Sequence, residues 1–235
     1  MTFNEKIELL KLLEEKERRR RNRKLFSYYP DTGPLRRELY PKHLEFFKAG
    51  AIHQERGAIA GNRCGKTVLS CFETSVHLSG LYPNWWEGRR FNRPVDWWAA
   101  SDTSETTRDI LQLEFLGKLS EIGTGMIPKD CIIGEPTKRR GIADAIDTVQ
   151  IKHASGGIST LAFKSYDQGR EKFQGTAKDG ISLDEEPSEA IYFECLTRLM
   201  TTNGLMICTF TPLSGMSEIV MRYLYDKEKA EVAVE

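Results

Sequence analysis

A chain of 235 residues, 40% apolar and 29% charged, is long enough to bury one substantial core with a small appendage. No apolar run approaches the roughly 20 residues a bilayer requires, and the charged N-terminus lacks a signal-peptide core, so no membrane partner is expected. The 34 basic and 34 acidic residues cancel, which argues against a surface that coats nucleic acid as a whole.

The balance is uneven along the chain. Residues 1–56 hold 14 Lys+Arg against 9 Asp+Glu, net +5, which leaves 20 against 25, net −5, for residues 57–235. Cys64, Cys71, Cys131, Cys195 and Cys208 form no CxxC pair and read as the reduced thiols of a cytoplasm.

Thr2 to about Lys24 reads as one helix, opened by a Thr2…Glu5 capping box. Ile7, Leu9, Leu10, Leu12 and Leu13 give it an apolar face for packing or for a partner. Its end, Lys16-Glu17-Arg18-Arg19-Arg20-Arg21-Asn22-Arg23-Lys24, fits two readings equally. One is a grip on DNA or an acidic partner; the other is a solvated helix end laced by i,i+4 pairs. Tyr29 to Pro34 is a break, and a short helix starts after Pro41.

Glu55 to Ala60 ends in a small apolar run, a buried strand. Gly61-Asn62-Arg63-Cys64-Gly65-Lys66-Thr67 follows, and then a packed helix bearing Val68, Leu69, Cys71, Phe72, Val76 and Leu78. The strict phosphate-loop pattern G-x-x-x-x-G-K-[ST] would put its first Gly at position 60, where Ala60 stands. Alanine resists positive φ, so the turn is made differently or is carried by Gly61.

Asn84 to Pro94 is a connection rich in Trp and Arg, and Val95 to Ala100 a second buried strand. Thr103 to Leu119 is helical, with Ile110, Leu111, Leu113, Phe115, Leu116 and Leu119 inward. Thr148–His153 and Ser159–Tyr166 flank Ala154-Ser155-Gly156-Gly157 as a hairpin. Ile181–Leu183 is a strand ending at Asp184-Glu185-Glu186, and Pro187 opens a helix to about Thr201. Leu205–Phe210 is another buried strand, and Ser217 to Lys227 a last helix. The sum is an α/β fold, a mainly parallel sheet flanked by helices, with a β-hairpin insertion and an N-terminal helical extension.

Two of these features define a chemistry together. A glycine loop at a helix N-terminus and a Lys neutralise phosphates, while a Thr hydroxyl and a strand-end Asp hold Mg²⁺. A further acid then orients the attacking water. The pairing points to an ATPase.

Several stretches at ordered spacing resemble the ATPase domain of the large terminase subunit of tailed double-stranded DNA bacteriophages, the motor that packages the genome. They are Ala60 to Thr67, Phe163 to Arg170, Gln174-Gly175, Asp184 to Pro187, and Thr209-Phe210-Thr211-Pro212-Leu213-Ser214-Gly215-Met216-Ser217, which looks like the family's coupling motif. The resemblance implies an ASCE-type P-loop NTPase core over 57–235. Residues 1–56 would be a helical extension with the adenine-side segment, and no nuclease domain is expected. Lys66 would contact the β/γ-phosphates, Thr67 and Asp184 would bind Mg²⁺, and Glu185 would activate water, with Glu186 the competing acid. Gly61, Asn62, Arg63, Cys64 and Gly65 would line the phosphates, with Tyr40 and His43 on the adenine side. Thr209 and Thr211 would sense the γ-phosphate, and Arg108, Arg139 or Arg140 could serve a neighbouring subunit in trans.

Two residues depart from the family pattern: His43 stands where Gln is frequent, and the loop arginine falls at Arg63. The implied partners are double-stranded DNA without sequence preference, the small terminase subunit, the portal protein and a homo-oligomeric ring. The implied location is the host cytoplasm, outside the mature virion. A helicase-like remodelling ATPase and a non-hydrolysing nucleotide-binding assembly module are the competing readings.

Overall fold

The computed structural model describes residues 3–213, 215–225 and 230–231. Thr2, Ser214 and Lys227, which the sequence reading uses, lie outside these residues. The helices α1 (Phe3–Arg21), α2 (Pro41–Ala49), α3 (Lys66–Ser79), α6 (Glu189–Leu199) and α7 (Glu218–Tyr225) follow the expected segments. So do the strands β1 (Glu55–Ile59), β2 (Asp96–Ser101), β4 (Ile146–Lys152), β5 (Ile158–Ser165), β6 (Gly180–Asp184) and β7 (Leu205–Phe210). Two strands come in addition, β3 (Ile132–Lys138) and the short β8 (Ala230–Glu231).

Among the described residues the strands form one sheet in the order β3-β4-β5-β2-β6-β7-β1-β8. Pairing is parallel from β5 through to β8, and antiparallel only for β3·β4 and β4·β5. One consequence positions the site. β7 lies between β1, which delivers the glycine loop, and β6, which delivers the acids.

Each central strand is buried on both faces, and its alternate residues serve different cores. Trp97 and Ala99 of β2 join Leu205 and Ile207 of β7 under α3, with Tyr29, Phe46 and Phe47 from the N-terminal segment. Trp98 and Ala100 join Ile181, Leu183, Met206, Cys208 and Phe210 under α6 and α7. The stretch from Leu25 to Phe47 therefore completes the main core on the α3 side. A Cβ on Gly180 would come within 2.1 Å of the Trp97 ring, so only glycine lets β6 pass that indole.

The helix expected from Thr103 is made of α4 (Ser104–Thr106), a π-helical stretch Thr107–Gln112 and α5 (Leu113–Leu116). Leu111, Phe115 and Leu116 are buried as expected, but Ile110, Leu113 and Leu119 are exposed. The wider π turn shifts the helical phase, so a stripe counted at 3.6 residues per turn drifts out of register. On α1, the apolar residues Ile7 to Leu13 stay exposed in this chain.

Candidate active site

The loop after β1 enters α3 at Lys66, so the helix N-terminus points into the loop with its partial positive charge. Gly61 does not carry the turn. The left-handed residues are Arg63 (φ 67°) and Gly65 (φ 82°), and Gly61 is not among those with positive φ. The lost glycine at position 60 is therefore offset three and five residues later, in part by an arginine forced into a conformation that costs non-glycine residues about 1–3 kcal/mol.

Lys66 is buried, and its Nζ donates to the carbonyls of Ala60 (2.9 Å) and Gly61 (2.7 Å) and to Thr211 Oγ1 (2.9 Å). Thr211 in turn donates to Asn62 Oδ1 at 3.0 Å. Asp184 closes β6, where it accepts from Thr67 Oγ1 at 3.0 Å and from Thr209 Oγ1 at 2.8 Å. The two threonines at the end of β7 thus hold the loop lysine and the acid strand at once. That bridge exists because β7 is inserted between β1 and β6.

Burial pushes the Asp184 carboxyl up to about 6, and the charge of Glu185 adds to it. Hydrogen bonds from Thr209 and Thr67 and the charge of Lys66 pull the other way. The folded chain binds this proton more tightly than the unfolded chain does. The group's stabilising contribution is therefore complete below about pH 4 and is lost as pH rises through about 6. In metal-free buffer Asp184→Asn should stabilise the chain at about pH 7.5 by up to about 3 kcal/mol, with the gain vanishing near pH 4. Denaturant unfolding of both proteins at the two pH values checks this, and a variant no more stable than its parent at neutral pH contradicts it.

Glu185 is a non-glycine residue at φ 68°, with its N–H on the Thr209 carbonyl (2.8 Å). Glu186 follows before Pro187, and α6 begins two residues beyond the proline without a side-chain cap.

On the other side of the loop lies a cavity of about 640 Å³ bordered by Tyr28, Leu39, Tyr40, His43, Arg63 and Gly65. His43 is only 3% exposed, and its two ring nitrogens reach the Tyr29 hydroxyl (2.8 Å) and the Cys64 carbonyl (3.4 Å). It braces the loop from behind; Tyr40 packs against it in a tilted arrangement, ring centroids 5.3 Å apart. Burial lowers the His43 pKa, and the Cys64 carbonyl pulls the other way. Tyr28, Tyr29 and Leu39 escape the sequence reading, although the density of aromatic residues before Pro41 is a signal.

The arginines proposed to act in trans differ. Arg108 is paired with its neighbour Asp109 (2.7 Å) and reaches the Ala143 carbonyl (3.3 Å). Arg139 is mostly buried and donates to Gln168 Oε1 at 2.8 Å, so its own chain holds it. Arg140 is exposed.

Comparisons with known proteins bear on the chain as a whole. The profile of the terminase large subunit family, T4-like type, N-terminal region, matches residues 58–235. The chain is 37% identical over 254 positions to the large terminase subunit of Salmonella phage P22, covering 100% of this chain and 49% of that protein. It is 25% identical over 252 positions to that of Enterobacteria phage LP7, covering 100% and 50%. The chain thus spans about half the length of both relatives. Among solved structures it is similar to the large terminase ATPase domain of Thermus phage P74-26, with TM-score 0.51, 15% identity, and 77% and 76% of the two chains covered. It is also similar to the large terminase of a thermophilic bacteriophage in complex with ADP, with TM-score 0.52, 17% identity, and 81% and 44% covered. At these identities the structures speak for the fold.

Proposed function

The chain belongs to the terminase large subunit family, and on that premise we propose that it is the ATP-hydrolysing motor that drives double-stranded DNA into a procapsid. The observation that carries this reading is the threonine bridge, Thr209 on Asp184 and Thr211 on Lys66 and Asn62. A strand that touches both the phosphate lysine and the strand-end acid can carry the γ-phosphate state away from the site. A module that only stores nucleotide has no need of it.

Lys66, with the N–H groups of 61–67, takes the β/γ-phosphates, and Glu185 orients the attacking water. Tyr40 and the wall of the neighbouring cavity receive the adenine, with His43 as the brace behind. Magnesium fits the donors present. Thr67 Oγ1 and an Asp184 carboxylate are hard oxygen ligands on one edge of the loop. Magnesium is commonly held by one or two such groups, with substrate phosphates and water completing its shell. When bound it neutralises developing phosphate charge, while the protein holds the reactants in place.

The expected division at 56/57 would cut β1, so the motor core starts at Glu55, close to where the family profile begins at residue 58, and residues 1–54 act as a helical extension. Arg140 or Arg108 is the trans arginine in a homo-oligomeric ring, Arg139 being committed within its own chain. The small terminase subunit and the portal protein are its assembly partners, and the host cytoplasm its place of work, before the virion matures. Among the described residues no helix is long and apolar enough to cross a membrane.

Phosphate release from Mg·ATP, with and without random duplex DNA at two salt concentrations, tests the reading. Turnover should rise with any duplex, and the stimulation should weaken by about 0.9 log units per log unit of salt for each phosphate neutralised. Nucleotide binding without release would support the assembly module. Stimulation by single strands alone would support the helicase-like remodeler.

A further inference from the structure

The left-handed Glu185 has a backbone contact from outside its own strand. Tyr166, at the end of β5, donates its hydroxyl to the carbonyls of Glu185 (2.9 Å) and Asp184 (3.2 Å). β5 is not a neighbour of β6, because β2 lies between them. The phenol reaches past the end of β2 to touch the backbone of both acids. A tyrosine hydroxyl at neutral pH is a donor, and here it is shared by two consecutive carbonyls.

The turn that carries the phenol is itself pinned. Asp167 accepts from the Ser104 N–H (3.0 Å) and the Ser104 hydroxyl (3.2 Å), and donates its own N–H to the Asp102 carbonyl (3.1 Å). Gln168 accepts from Arg139 at 2.8 Å. The Tyr166 ring leans on Phe173, with centroids 6.4 Å apart. A non-glycine residue persists at φ 68° only where its surroundings over-determine it, and the Thr209 carbonyl and the Tyr166 hydroxyl hold the Glu185 backbone at its N–H and at its C=O.

We propose that Tyr166 is the positioning residue of the catalytic acid: its hydroxyl fixes the Asp184–Glu185 backbone and thereby the placement of the Glu185 carboxylate. The inference rests on the hydrolytic reading of the site. It predicts a defect in the chemical step and none in nucleotide binding, since Tyr166 touches neither the loop nor the cavity beside it.

Tyr166→Phe removes only the hydroxyl. Its kcat for ATP should fall about tenfold, the scale of one lost hydrogen bond at a group that must be aimed. KM and the affinity for Mg·ADP, measured by calorimetry, should stay within about twofold of wild type. In a Glu185→Ala background, single-turnover hydrolysis should show no further loss on adding Tyr166→Phe, because the residue being aimed is gone.

The outcomes separate the two ideas. A Tyr166→Phe enzyme with wild-type kcat overturns the positioning role and leaves the hydrolytic reading standing. Loss of Mg·ADP affinity together with kcat assigns the phenol to folding and overturns the role too. A further loss in the Glu185→Ala background overturns it as well. A wild-type chain that binds Mg·ADP but never turns over overturns the hydrolytic reading and, with it, the role of Tyr166.

Discussion

Glu185→Ala is expected to bind Mg·ATP with near wild-type affinity while its turnover falls by about a hundredfold or more. Glu186→Ala should retain most of its activity. The two acids are adjacent in sequence and differ in how they are held. Glu185 directly follows Asp184, and its backbone is clamped between the Thr209 carbonyl and the Tyr166 hydroxyl. Glu186 stands one residue further out, before Pro187 and the approach to α6. Removing one preorganised electrostatic group from such a centre typically costs about 2.7–4 kcal/mol in the barrier. Lys66→Ala should behave differently, losing affinity and turnover together, because Nζ is the cation that sits on the loop carbonyls and Thr211. Equilibrium binding and single-turnover hydrolysis on the same three variants separate these effects. An inactive Glu186→Ala beside an active Glu185→Ala would exchange the roles of the two acids.

Most of the scaffold is legible because it is written in runs. Gly57-Ala58-Ile59-Ala60, Val95 to Ala100 and Leu205 to Phe210 are largely apolar stretches between breakers, and each lies in a strand or at its end. The hairpin at Ala154-Ser155-Gly156-Gly157 announces β4 and β5. β3 is not legible because Gly134 and Pro136 interrupt it and its pairing with β4 is irregular, which leaves no alternation to read.

The site residues are legible by type but not by conformation. The sequence places Asp184 after an apolar strand, yet the left-handed turn at Glu185 is imposed by contacts from β5 and β7, distant along the chain. Arg63 is the same case: a glycine loop advertises positive φ at its glycines, and here one is borne by an arginine. Tyr166 stands out in the sequence only as part of a matching stretch, since nothing local says where a phenol at a strand end will point. Arg56 reads as one more basic residue of the N-terminal segment. It proves to be one of the most deeply buried side chains in the fold.

Arg56→Ala is expected to destabilise the chain by about 3–5 kcal/mol, the range for removing one partner of a buried ion pair. Arg56 and Glu73 are both fully buried, joined by two bonds of 2.6 and 3.0 Å. Burial pushes the Glu73 carboxyl up, but the Arg56 charge and the hydrogen bonds from His77 and Arg56 outweigh it and hold the group below its usual range. Deleting the guanidinium leaves that carboxylate in the core with only His77, whose own pKa is lowered by burial. The guanidinium also donates to the Phe46 carbonyl of α2 at 2.8 Å and lies over the Phe46 ring. One side chain on β1 therefore ties α2, which bears His43, to α3, which bears Lys66, so the cavity side and the loop side of the candidate site share a fixed frame.

Replacing both members of the pair by apolar residues of similar size, Arg56→Met with Glu73→Leu, removes the charges together and should cost much less than either single change. Equilibrium denaturation of the three variants decides the matter. A loss under about 1 kcal/mol for Arg56→Ala would mean that water reaches Glu73 and that the pair contributes little. A double variant that is stable but has weakened nucleotide affinity would locate the contribution of the pair in the spacing of α2 and α3 rather than in stability.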